Sequence, residues 1–192
     1  MREVVEIKFA KVHPNAVIPS KRDEDMGFDI YACFDEDYIV INPHETKLIP
    51  TGIASSCSSD WGFLVFERGS TGSKGIARRC GVIDSGYRNE WFIGLTNTTD
   101  KILYISKISK EEIVDRVYNS DKMNNSWDSL FGSVVSIKDN LEKGIFVYPY
   151  SKAIAQATIA FVPKIKVEEV SYEELKAIES ERGMGALGSS NK

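Results

Sequence analysis

Cysteine and histidine are scarce in this sequence. Cys33, Cys57 and Cys80 are widely spaced and odd in number, and only His13 and His44 could join them, so no zinc-like ligand cluster can be written. Reduced thiols in a cytoplasmic protein are the expectation, or in a nuclear one if the source is eukaryotic or viral. Long apolar runs are missing too: the longest falls far short of the roughly 20 residues that cross a bilayer. The opening Met1-Arg2-Glu3-Val4-Val5-Glu6 alternates charged and apolar residues and has no apolar block of a signal peptide. Nor is there an excess of positive charge. The 24 Lys and Arg are outnumbered by 28 Asp and Glu, a formal net charge of −4, which argues against nucleic acid or an anionic membrane as partner. A phosphate-handling site would have to be local.

What is present reads as short strands punctuated by turns. The 192 residues suffice for one domain with a core plus a modest insertion. Val4 to Phe9 alternates with period two, and Tyr38 to Ile41 is β-branched and aromatic before the break at Asn42-Pro43. Lys47 to Pro50 leads into the turn Thr51-Gly52. Trp61 to Phe66, Trp91 to Leu95, Ile102 to Ile105, Ile145 to Val147 and Ile154 to Val162 continue the pattern. Such spacing suggests an all-β sandwich, jelly roll or barrel, with no βαβ alternation and no internal repeat.

Two stretches break the rhythm. Residues 109–143 resemble an insertion between strands. Ser109 and Glu112 make a capping box ahead of Ile113, Val114 and Val117, and a segment rich in Asn, Ser and Asp follows around Met123 and Trp127. Residues 171–182 read as a short helix, opened by a Ser171/Glu174 capping box and stopped by Gly183. The glycine-rich residues 183–192 are expected to form a flexible arm. The β core is then 1–108 together with 144–170.

Five segments carry chemistry. Gly81-Val82-Ile83-Asp84-Ser85-Gly86-Tyr87 is a strand ending in a turn that presents a carboxylate and a ring together. Arg68-Gly69-Ser70-Thr71-Gly72-Ser73-Lys74-Gly75 offers backbone N–H groups, hydroxyls and two cations to an oxyanion. It is not the helix-opening phosphate loop of the common nucleoside triphosphatases, because strand-like sequence flanks it on both sides. The others are Met26 to Ala32, Ala153 to Gln156, and the tail opened by Arg182. Singly, each also reads as an ordinary turn, loop or strand; an Asp at a turn usually serves backbone hydrogen bonding.

Together, and in this order, the five resemble the motifs of the trimeric dUTPase family. The resemblance spans nearly the whole chain outside the insertion. It implies a distorted jelly roll of the β-clip kind and hydrolysis of dUTP to dUMP and pyrophosphate in a homotrimer with shared active sites. It further implies that Asp84 is the general base for the attacking water, that Tyr87 lies against the deoxyribose, and that backbone groups of a hairpin around Ile76 to Val82, with Gly81 and Ile83, read uracil. Arg68, Ser70, Gly72 and Gln156 would meet the phosphates or metal-bound water, with Asp29 holding Arg68. Arg182 would reach the phosphates as the tail closes, assisted by Ser189 and Ser190, with Leu187 over the base. Mg2+ would be held by the substrate's phosphates and water, with no direct protein ligand.

The sequence departs from the family pattern in four places. Gly69 stands where a serine is usual, Leu187 where an aromatic is usual, and Ser151-Lys152-Ala153 where glycine-aspartate-arginine is usual; the stretch from Arg68 to Asp84 is also shorter than in many members. Two other readings bear on the function. A dCTP deaminase shares the fold and third motif but needs a glutamate on the following strand, where Gly94 stands. A binding protein on the same scaffold would use the insertion, with Trp127, Leu130 and Phe131 as anchors for a protein partner. Arg78-Arg79 reads either as a solvated turn or as charge that draws phosphate.

Overall fold

The computed structural model describes residues 4–79, 81–124, 134–181 and 183. Its contacts divide the chain into Met1–Val162 and Pro163–Lys192. The first unit holds β1 (Ile7–Lys11), β2 (Phe28–Ile30), β3 (Tyr38–Ile41), β4 (Thr46–Pro50), β5 (Ile53–Cys57), β6 (Trp61–Phe66), the one-turn helix α1 (Gly69–Gly72), β7 (Ile76–Arg79), β8 (Val82–Ile83), β9 (Phe92–Asn97), β10 (Ile102–Ser106), helices α2 (Lys110–Asn124) and α3 (Val134–Gly144), β11 (Ile145–Pro149) and β12 (Ala155–Phe161). The strands form four small sheets, ordered β1-β5, β11-β10-β3, β2-β12-β6-β8 and β4-β9-β7. The all-β, jelly-roll-like architecture is therefore present.

The core is where inward faces of these sheets meet. Phe9, Phe63 and Trp91 pack as one aromatic group, the Phe63 and Trp91 ring centroids being 4.9 Å apart. Trp91 is fully buried, and its indole N–H donates to Ser55 Oγ at 3.1 Å, which meets the one polar demand of a buried tryptophan. Buried Asn97 likewise spends its amide on the carbonyls of Ile41, Asn42 and Lys101.

The insertion changes the topology. β10 and β11 pair in parallel, Leu103 opposite Phe146 and Ile105 opposite Tyr148, so α2 and α3 form a crossover between neighbouring strands. This corrects the expectation of no βαβ-type connection. Ser109 Oγ accepts the N–H of Glu112 at 3.2 Å, as the capping signal implies, but the helix runs to Asn124. Ile113 and Val114 are buried against Tyr104 and Ile145, forming a second small core on the outer face of the β11-β10-β3 sheet. Arg116 adds ion pairs at 2.7 Å to Asp37 and to Glu112. Trp127, Leu130 and Phe131 lie outside the described residues.

Other boundaries also move. β1 begins at Ile7 rather than Val4, and β5 is a strand where none was expected. Arg78 and Arg79 lie on β7, not in a turn. β7 and β8 do not pair with each other as a hairpin: β7 bonds to β9 and β8 to β6. In the second unit, α4 (Tyr172–Ala177) has the Ser171/Glu174 capping box in both directions. It stops at Ala177, five residues short of 182, so Gly183, at a φ of +54°, is not its terminator.

Candidate active site

Strand pairing brings three chemistry-bearing residues from distant sequence into one cleft. β12 lies between β2 and β6, with Gln156 opposite Asp29 on one side and Phe66 on the other. Arg68 follows two residues after Phe66 and caps α1, so the second motif begins as a single helical turn rather than an open loop. Arg68 Nε approaches Asp29 Oδ1 at 3.0 Å and Nη2 donates to Oδ2 at 3.2 Å, a two-pronged pair that fixes the plane of the guanidinium. Its Nη1 is left toward Ser70 Oγ, 3.4 Å away. Gln156 Nε2 donates to the Glu67 carbonyl at 2.8 Å, which leaves its carbonyl oxygen as an acceptor. Gly72 lies in α1, where its N–H donates to the Arg68 carbonyl.

The cleft has a volume of about 650 Å3 and is also lined by Ser20, Lys21, Arg22 and Gly27. Lys21 and Arg22 were not anticipated; no spacing pattern marks them. Arg22 pairs with Asp25 at 2.8 Å and holds that exposed carboxyl down to about 2. Lys21 Nζ donates to the carbonyls of Arg22 and Asp25. Glu67, also unanticipated, was signalled only by its place before Arg68.

Asp84 and Tyr87 are elsewhere on the same chain. β8 pairs with β6 through Ile83 opposite Phe63, so the register carries Asp84 to the level of Gly62. Gly62 and Arg68 are six residue steps apart, the first four along β6, a path of up to roughly 20 Å at about 3.3 Å per residue. Asp84 is exposed, and its carbonyl accepts the Tyr87 N–H at 3.1 Å, closing the turn. The Tyr87 hydroxyl donates to the Glu90 carbonyl at 2.9 Å, which fixes the ring. Arg88 donates to the carbonyls of Ser85 and Ser55, and Glu90 Oε1 accepts the Gly52 N–H at 2.7 Å. Arg182, Leu187, Ser189 and Ser190 lie outside the described residues.

Gly94 faces β7 across the sheet from Arg79. A Cβ there would stand 3.0 Å from the Arg79 carbonyl and 3.2 Å from Arg79 Cβ. The strand pairing therefore leaves no ready room for the glutamate that a dCTP deaminase requires. Among the described residues, no group of three or more His, Cys, Asp or Glu side chains could hold a metal ion.

A fold of short β-strands, with a charged cleft that holds an oriented arginine and a separate Asp–Tyr turn, is that of a jelly-roll-like protein. The dUTPase family model matches residues 13–110, just over half of the chain, and the chain belongs to that family. It is similar to the deoxyuridine 5'-triphosphate nucleotidohydrolase of Leptospira interrogans, 33% identical over 99 residues that cover 50% of this chain and 68% of that protein. The Helicobacter pylori protein of the same name is 33% identical over 101 residues, with the same coverage. Among solved structures, the dUTPase of Staphylococcus bacteriophage 80alpha with dUpNHpp superposes with a TM-score of 0.64 at 20% identity, covering 97% of this chain and 99% of that one. The dUTPase of phage phi11 of S. aureus, described with a structural Mg(II) ion, reaches 0.58 at 18% identity, covering 88% and 99%.

Proposed function

We propose that this protein hydrolyses dUTP to dUMP and pyrophosphate, at sites that each combine two or more copies of the chain in a homotrimer. The observation that carries the reading is the division of labour just described. Asp29, Arg68 and Gln156 share one cleft, whereas Asp84 and Tyr87 follow a strand that pairs with the far end of β6, a chain path of up to roughly 20 Å. A base and a phosphate grip so far apart act on one substrate only if neighbouring copies each supply one of them.

At such a site the Asp84 carboxylate takes a proton from water, whose oxygen attacks the α-phosphorus. The α–β anhydride bond breaks, and its electron pair leaves on pyrophosphate. Arg68, with its plane fixed by Asp29, donates N–H groups to phosphate oxygens in a set direction, which lowers the cost of ordering the chain when substrate binds. Gln156 presents its carbonyl oxygen to water on the same side. Tyr87, held by Glu90, sets its ring against the sugar and leaves no space for a 2′-hydroxyl. Of the three carboxylates that line the cleft, Asp29 is spent on Arg68 and Asp25 on Arg22, leaving Glu24, too few for a protein cage, which fits magnesium carried by the triphosphate. Bound in that way, the ion neutralises phosphate charge. Arg182, Ser189, Ser190 and Leu187 would complete the site when the tail covers it.

Pyrophosphate release from dUTP, UTP, dTTP and dCTP with magnesium tests the proposal. Release from dUTP alone, lost in Asp84→Asn, is the expected result. Well-folded protein that turns over none of the four would overturn it.

A further inference from the structure

The cleft that holds Asp29, Arg68 and Gln156 has a second basic stretch in its lining, which no sequence motif marks: Lys21 and Arg22, on the loop before β2. That loop is tied to the strands that carry the site. The Asp29 N–H donates to the Ser20 carbonyl at 3.2 Å, and Thr158 Oγ1, on β12, donates to the Met26 carbonyl at 3.2 Å. Within the loop the Asp25 N–H closes a turn onto the Arg22 carbonyl at 3.1 Å. The backbone of Lys21 and Arg22 is thereby fixed relative to Asp29 and Gln156.

The three cations of the cleft are not equivalent. Arg68 spends two N–H groups on Asp29. Arg22 takes both oxygens of Asp25, Nε on Oδ2 at 2.9 Å and Nη2 on Oδ1 at 2.8 Å. Lys21 forms no ion pair among the described residues, with Glu24 or any other carboxylate. Its Nζ donates instead to two carbonyls of its own loop, Arg22 at 3.0 Å and Asp25 at 2.7 Å. Carbonyls orient an ammonium without neutralising it, and an ammonium keeps a third donor. An uncompensated charge therefore lines a cavity of about 650 Å3, oriented before any ligand arrives. A planar guanidinium and a point-like ammonium in one cavity suit an anion with several charged oxygens, as joined phosphates are and a lone carboxylate is not.

We propose that Lys21 is a further substrate-binding residue, its ammonium meeting oxygens of the two outer phosphates in the cleft it shares with Arg68. The proposal rests on the reading of the chain as a dUTP hydrolase and deepens it. In that reading Asp84 comes from another copy, so the α-phosphorus lies where copies meet and the phosphates beyond it enter the cleft. Lys21 then grips the portion that leaves as pyrophosphate and has no contact with dUMP.

The test is KM and kcat for dUTP, the inhibition constants of pyrophosphate and of dUMP, and pyrophosphate binding by calorimetry, all with magnesium. Lys21→Met should raise KM and both pyrophosphate constants about 10-fold, the worth of one charge-assisted hydrogen bond, with kcat moving less and the dUMP constant holding. Lys21→Arg, which keeps the charge, should retain most of the affinity. Thr158→Val, which cuts a tether of the loop and keeps the charge, should leave pyrophosphate binding as it was. If Lys21→Met weakens dUMP as much as pyrophosphate, or Thr158→Val weakens pyrophosphate as much as Lys21→Met does, Lys21 only orders its loop and the proposal is overturned. Constants that do not move in Lys21→Met overturn it too. A wild-type protein that binds pyrophosphate through Lys21 but turns over no dUTP would instead overturn the hydrolase reading and leave the anion site standing.

Discussion

The Asp29–Arg68–Gln156 cleft and the Asp84–Tyr87 turn are built in opposite ways. The cleft draws on β2, β12 and the β6–α1 junction, and its side chains are cross-linked before any ligand arrives. The turn hangs from a two-residue edge strand, its carboxylate exposed and its ring tied to its own backbone. Gripping a triphosphate demands several groups held in fixed relative positions, which a three-strand junction supplies. Activating one water demands a single carboxylate displayed where another chain can bring the phosphate to it, which an edge turn supplies.

Substitutions can break or sharpen this contrast. The largest effect should come from Asp84→Asn, about 1,000-fold in kcat with little change in KM, because Asp84 supplies chemistry and not affinity. Next, mixing Asp84→Asn with Arg68→Met in exchanging oligomers, assayed at dUTP far below KM where each variant alone is weak, should restore about a quarter of wild-type activity, the chance that random neighbours supply both intact halves. No recovery after verified subunit exchange would mean that one chain supplies both. Arg68→Met alone should raise KM for dUTP about 10- to 100-fold, with kcat falling less, as steady-state kinetics would show. The smallest effect is expected at Arg22. Because Arg22 depresses the Asp25 carboxyl to about 2, the pair supports the folded loop above the ordinary value of 3.8 and loses that support as pH falls from there toward 2. Arg22→Ala should return the Asp25 titration toward 3.8 by NMR and leave turnover near pH 7 unchanged.

The strands Tyr38–Ile41 and Trp61–Phe66 were legible to the residue, because β-branched and aromatic runs there end at turn residues. Ile53–Cys57 was not. Its Ala-Ser-Ser-Cys reads as loop, and it becomes a strand through pairing with β1, a tertiary choice that no local pattern records. Ile76–Arg79 was expected in a hairpin that runs to Val82, but it pairs with β9 instead, a choice of neighbour that its own residues do not record. The parallel direction of β11 is invisible in spacing alone. The site was legible through its family motifs, and the pairing of Asp29 with Arg68 across 39 residues came from that resemblance, not from local chemistry. Glu67 carries no motif, so only its contacts in the fold expose it.

The parallel pairing of β10 with β11 also limits how this chain can be remodelled. An excursion between antiparallel neighbours can be cut out and resealed with two residues. Here the polypeptide leaves β10 at Ser106 and must travel back along the whole strand before Ile145 can enter beside Ile102. That return needs about a dozen residues, whatever their composition. Residues 109–143 are thus exchangeable but not removable: a graft of foreign sequence long enough to span the strand and cover Tyr104 would be accepted, whereas excision would take β11 out of its sheet.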